Sequence, residues 1–146
     1  GGYYAPRATA YEKRFMLCAT WGANYNWGEL QKRRLEREGE NPVPHYWDHV
    51  QWVFGQDSLE DLMAFAPNMT LEGVVEQITV PFLVTHGADD RQIPMDFATP
   101  QYENAVNSPD RHFKVFTTDE GGSSHAGADN ESVPATYIAD WVADRI

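Results

Sequence analysis

Thr85-His86-Gly87-Ala88-Asp89-Asp90-Arg91-Gln92-Ile93-Pro94 is the stretch whose reading decides the fold. An apolar run at 81–84 leads into it, and the loop after that run carries Asp90. A short continuous apolar run bounded by turn residues reads as a buried strand. Gly87 permits a tight turn after that strand, and Pro94 suits the start of a helix. About 35 residues after Asp90, Glu120-Gly121-Gly122-Ser123-Ser124-His125-Ala126 repeats the pattern. It comes after a second apolar-alternating run, 112–117, and its loop carries His125. An acid and a base at the ends of neighbouring strands are two of the three members of a nucleophilic triad. The nucleophile is the member not in view.

Upstream, residues 3–13 read as a helix in which Pro6 is tolerable only near the first turn. Residues 15–21 read as a fully buried strand. Residues 28–40, rich in Glu, Leu, Gln, Lys and Arg, are strongly helix-forming, and Asn41-Pro42-Val43-Pro44 stops them. Residues 45–54 form a second helical stretch. Asp57 or Ser58 is placed to cap a third, 59–66, which Pro67-Asn68 breaks. A short helix is expected at 71–77 and another at 96–106. The last helix, 133–146, carries Ile138, Trp141, Val142 and Ile146 on one stripe. Strands alternating with helices define an α/β chain with about three parallel strands and flanking helices. Residues 27–66 are too long for a plain crossover. They are expected to form a helical cap, with 1–26 and 67–146 as the core.

The 146 residues suffice for one domain with a core, and an apolar content of 42% sets the chain apart from disordered ones. The net charge of −11 is uneven: residues 1–40 carry +2 and the remainder −13. The acidic part would repel nucleic acid. Lys32, Arg33, Arg34 and Arg37 are interleaved with Glu29, Glu36, Glu38 and Glu40, which reads as a solvated helix face with (i, i+4) ion pairs. No run approaches a membrane span, and no signal or transit peptide is visible. Gly1 in place of an initiator Met leads us to expect that the natural N-terminus lies upstream. The single Cys18 excludes an internal disulfide and fits a reducing, cytoplasmic setting. Within its apolar run it reads as a buried thiol.

Asp90 is placed to accept a bond from a histidine ring nitrogen. It could instead cap the helix near Pro94, and Asp89 is the rival carboxylate; spacing favours Asp90. His125, after a glycine-serine loop, suits a base working near neutral pH. Alone it would be an ordinary exposed histidine; its pairing with the Asp90 stretch is the feature that points to catalysis. His86 reads as a packed structural residue rather than a pocket-lining one. His45 and His49 stand at (i, i+4), but Tyr46 occupies the place where a zinc-protease motif needs glutamate, and no third ligand is evident. No metal or cofactor is expected. Trp27, Tyr46, Trp47, Trp52 and Phe54 form either the core of the cap or the lining of an aromatic pocket.

With these residues in place, the chain resembles the C-terminal part of an α/β-hydrolase, a superfamily that orders its triad Ser…Asp…His. Gly1-Gly2-Tyr3-Tyr4-Ala5-Pro6-Arg7 resembles the segment just after the nucleophile in a branch reading G-x-S-x-G-G-Y-Y. Trp21-Gly22-Ala23-Asn24 and Arg37-Glu38-Gly39-Glu40-Asn41-Pro42-Val43-Pro44-His45-Tyr46-Trp47 are similar to the fungal heptaketide hydrolases of dihydroxynaphthalene-melanin pigment biosynthesis. They also resemble bacterial C–C hydrolases of aromatic ketones of the pseudooxynicotine type.

The resemblance implies a serine two residues before Gly1, with Asp90 and His125 completing the triad. It also implies retro-Claisen cleavage that shortens a heptaketide to tetrahydroxynaphthalene, with Trp27, Tyr46, Trp47 and Trp52 binding the substrate. The oxyanion donors would also lie outside this chain, so residues 1–146 alone are expected to be inactive. Ser123 and Ser124, in the loop beside His125, lack the elbow geometry and are not nominated as nucleophile. The implied partner is a small aromatic polyketide, and assembly into a homo-oligomer is compatible with the sequence. An esterase or lactonase with the same residues, and a non-catalytic binding module, are the alternatives. The first strand would normally pair with the strand leading to the serine. Without it, an apolar edge would be exposed.

Overall fold

The computed structural model describes residues 1–37 and 43–146. The expected helix stop at Asn41-Pro42, the far end of the 28–40 helix and the roles of Glu38 and Glu40 lie outside the described residues. The chain divides into two compact units, Gly1–Tyr25 with Leu71–Ile146, and Asn26–Thr70.

The larger unit is built on three parallel strands, β1 (Cys18–Trp21), β2 (Phe82–Gly87) and β3 (Arg111–Phe116), with β2 in the middle. Cys18 stands opposite Phe82, and Phe82 opposite Arg111. Every residue of β2 is buried, as expected of a parallel strand covered on both faces. Within it the Thr85 hydroxyl donates to the Thr20 carbonyl at 2.7 Å. Helices α1 (Tyr4–Tyr11), α5 (Thr99–Glu103) and α6 (Ser132–Ala143) flank this sheet. The α/β class and the three parallel strands read from the sequence are therefore present.

Several boundaries differ from expectation, each for a local reason. The first strand begins at Cys18, and Phe15 and Met16 are exposed rather than buried. Its partner strand starts after Pro81; the Pro81 carbonyl accepts from Cys18 N, but proline has no N–H to extend the ladder further. Residues 71–77 form a turn ending in a 3₁₀ segment, Val75–Gln77, because Gly73 takes a left-handed φ of 71°. The expected 96–106 helix is a 3₁₀ turn, Met95–Phe97, and then the short α5, which Pro100 starts afresh. Of the α6 stripe, Trp141 is buried, whereas Ile146 lies beyond the helix end and is exposed.

In the smaller unit, α2 (Trp27–Glu36) is capped by Asn26, whose side chain accepts from Glu29 N at 2.9 Å. α3 (Tyr46–Phe54) and α4 (Leu59–Phe65) come next. The cap of α4 is Ser58, not Asp57: its hydroxyl accepts from Asp61 N. Leu30, Val50, Leu62 and Ala66 are buried. Trp27, Phe54 and Phe65 pack ring to ring, with centroids 4.9 and 5.7 Å apart along the series. Arg33 pairs with Glu29 one turn back, as the charge pattern suggested. An antiparallel bridge between Asn26 and Thr70 joins the two ends of the unit.

One backbone contact ties the last two strands' loops together. A Cβ on Gly87 would stand 2.2 Å from the Ser123 carbonyl oxygen and 2.7 Å from that of Ser124. The Asp89 amide also donates to Ser123 O at 2.9 Å. Gly87→Ala is therefore expected to destabilise the fold by about 2–3 kcal/mol, as overpacking does where the opposing atoms are backbone. Urea unfolding measures it, and an unchanged midpoint would contradict the contact.

Candidate active site

In a parallel sheet all strands end on one side, so the loops after them gather at one edge. Here the residues after β2 bring Asp90 to that edge, and those after β3 bring His125. Asp90 sits in a tight side-chain turn. Its Oδ1 accepts from Gln92 N and Ile93 N, each at 2.9 Å. Its Oδ2 accepts from His125 Nδ1, also at 2.9 Å. The Asp90 side chain is 1% exposed and that of His125 38%. Burial opposes the Asp90 charge, but the His125 bond and the two amides outweigh it and hold the carboxyl below its ordinary value. With Nδ1 engaged by the carboxylate, Nε2 makes no hydrogen bond among the described residues. An imidazole oriented in this way can take a proton at Nε2 while the carboxylate steadies the resulting charge.

Asp89, the rival carboxylate, is turned elsewhere. It accepts from the Thr118 hydroxyl at 2.6 Å, and that bond, with one from Ser123, lowers its pKa. Ser123 is buried in this supporting role. His86 is fully buried under Asp90. Its Nε2 donates to Ile93 O at 2.8 Å and stands 3.7 Å from Asp90 Oδ2.

Asp129 is a residue of the candidate site that sequence pattern did not single out. Its Oδ1 accepts from Ser124 N at 2.8 Å, and its Oδ2 from Gly122 N at 2.8 Å and Ser123 N at 3.2 Å. This carboxylate closes the loop that presents His125. A signal did exist: an aspartate a few residues beyond a Gly-Gly-Ser-Ser tract, where free amides need an acceptor. On the other side of His125, Ala126 adopts a left-handed φ of 50°. A non-glycine residue there costs about 1–2 kcal/mol, so the surrounding turn holds His125 against local preference.

The chain's first residues reach the same edge. Gly2 packs so closely on the backbone of Gly22, just past β1, that a Cβ would meet the Gly22 carbonyl oxygen at 1.8 Å. Gly2 O accepts from Asn24 N and from the Gln101 side-chain amide. α1 starts from this point.

Trp27, Tyr46, Trp47 and Trp52 all belong to the smaller unit. Trp27 packs on Phe54, and Tyr46 meets Trp47 edge to face. The Tyr46 hydroxyl is bonded to Gln31, and the Arg34 guanidinium lies over its ring at 4.3 Å. Trp52 is 80% exposed and stacks on His49. Among the described residues, no three His, Cys, Asp or Glu side chains converge as a metal-binding group, and no helix is long and apolar enough to cross a membrane.

No family model and no curated protein matches the chain. Solved structures do. A 2,6-dihydroxy-pseudo-oxynicotine hydrolase superposes with a TM-score of 0.68 at 23% identity, over 99% of this chain and 37% of its own. An esterase from Pyrococcus furiosus superposes in two crystal forms with TM-scores of 0.63 and 0.61 at 13% identity. Each covers 96% of this chain, and 47% and 48% of the esterase. The fold is thus that of the α/β-hydrolases, and the chain spans less than half the length of these neighbours.

Hydrogen bonds from the three loop amides, that of Ser124 foremost, pull the Asp129 carboxyl down to about 2. A folded-state value below the unfolded one, ~3.9, means the carboxylate's hold is complete above that value. It is lost as pH falls toward 2. The amide resonances of Gly122, Ser123 and Ser124 are therefore expected to shift together with a midpoint near 2. Titration of these amides at ~4 would contradict the clamp.

Proposed function

We propose that this chain carries the acid and base of a serine-type hydrolase whose complete protein cleaves a C–C bond in an aromatic ketone. The observation that carries the reading is the 2.9 Å bond from His125 Nδ1 to a buried Asp90 carboxylate, with Nε2 left unbonded among the described residues. The nucleophile is assigned, through the resemblance, to a serine two residues before Gly1. Two observations support that assignment: Gly2 sits at the carboxyl edge of the sheet, and α1 begins there, as a strand-to-helix turn requires.

These positions suit a serine-type reaction. The serine hydroxyl attacks the ketone carbonyl as its proton passes to His125 Nε2, and Asp90 stabilises the imidazolium. The tetrahedral oxyanion collapses by breaking the C–C bond, and the electron pair leaves as a carbanion stabilised by the aromatic nucleus. His125 delivers its proton to that carbon. It then activates water, which releases the acyl group and restores the serine. The net change is addition of water across one C–C bond. We place the substrate among aromatic polyketides, with a heptaketide giving tetrahydroxynaphthalene as the specific case. Residues 27–66 act as the cap, and Trp27, Tyr46, Trp47 and Trp52 supply aromatic surface for the substrate. A neighbour of the same fold is named a 2,6-dihydroxy-pseudo-oxynicotine hydrolase, which favours this reading. The Pyrococcus esterase favours a second one, ester cleavage by the same residues.

The complete protein separates the two. Turnover of an acyl-naphthalene ketone supports C–C cleavage, and turnover of a naphthyl ester alone supports the esterase. In either case Asp90→Asn and His125→Ala are expected to lower kcat by about 10³–10⁴-fold. A serine-directed phosphonate is expected to label the residue two before Gly1. Full activity in Asp90→Asn, or no labelled serine, would sink the proposal. Residues 1–146 alone are expected to leave an aryl ester untouched.

A further inference from the structure

We infer that His86 is a positioning residue for the candidate base: its neutral ring locks the turn that aims Asp90 at His125. The inference rests on the reading of His125 as the base. It starts from hydrogen-bond direction. A carbonyl oxygen only accepts, so the 2.8 Å contact to Ile93 O places the proton of the His86 ring on Nε2. Nδ1 is then a bare acceptor. It is buried and has no partner among the described residues. Protonating it would place a second N–H where nothing accepts it, a costly arrangement for a ring whose side chain is 0% exposed.

Ile93 is therefore held at both its main-chain polar atoms. Its carbonyl accepts from His86, and its N–H donates to Asp90 Oδ1. His86 is anchored in the central strand, so strand, ring, peptide and carboxylate form one continuous chain of contacts. The titratable groups facing His86 are Asp90 and His125. Burial lowers the His86 pKa foremost, Asp90 and the Ile93 bond partly restore it, and charge on His125 lowers it further. Two histidines thus face one carboxylate, and only His125 is placed to carry charge beside it. The uncharged Nε2–H of His86, 3.7 Å from Oδ2, leaves that oxygen to His125.

The test uses His86→Phe and His86→Gln in the complete protein. Phenylalanine keeps a ring but removes the donor to Ile93 O. Glutamine supplies an uncharged N–H donor without a ring. The readouts are the downfield proton resonance of the His125 Nδ1–H bonded to Asp90, and the split between kcat and KM. In His86→Phe the resonance is expected to broaden or disappear, and kcat to fall about 10- to 100-fold through misplacement of the pair at an unchanged KM. His86→Gln is expected to keep both close to wild type. An intact resonance and full kcat in His86→Phe would overturn the inference. So would loss of both in a folded His86→Gln, or failure of both variants to fold, since each outcome makes the ring a packing residue. The resonance reports on the pair whatever the reaction is. A protein without hydrolase activity whose resonance still depends on the donor at 86 would refute the proposed function and leave this inference standing.

Discussion

The approach of Gly87 to the backbone of Ser123 and Ser124 is the constraint on which the rest of the candidate site depends. It lets the end of the central strand and the loop after its neighbour share one layer, with no side chain between them. Asp89 N then reaches Ser123 O, and Asp90, the next residue, faces His125. Asp90 and His125 are 35 residues apart in sequence, and this backbone contact brings them within a hydrogen bond. Strand pairing brings the two loops to the same edge; the missing Cβ sets how closely they meet there.

Around that contact, polar groups are arranged so that few of them compete for Asp90. Thr118 and Ser123 engage Asp89, two loop amides take one oxygen of Asp90, and His125 takes the other. The cost of a buried carboxylate is offset by donors fixed in place around it. Ala126 shows the opposite side of the balance: a left-handed backbone tolerated so that the preceding histidine points correctly.

Much of this was legible from local pattern. A continuous apolar run marked β2, an amphipathic stripe marked the last helix, and the order of an acid loop and a histidine loop after successive strands marked the pair. The features that pattern missed were decided by neighbours distant in the chain. The start of β1 depends on Pro81, its partner's proline, rather than on its own apolar residues Phe15 and Met16. The expected helices at 71–77 and 96–106 are cut short at Gly73 and restarted at Pro100. His86 read as a packed residue because burial is all its sequence context conveys; its bond to Ile93 O exists only once the turn has closed. Asp129 carried no side-chain signature because its partners are main-chain amides, which no side-chain motif records.

Asp129 also limits the part the glycine-serine loop can play. Successive amides that converge on one point form a nest that attracts anions, and Gly122, Ser123 and Ser124 make such a nest. It is already filled by the chain's own carboxylate. The preceding amide, Gly121 N, is taken by Thr117 O. These dipoles cannot turn toward another anion without first releasing Asp129. The loop beside the histidine is therefore a closed scaffold whose amides are already spoken for.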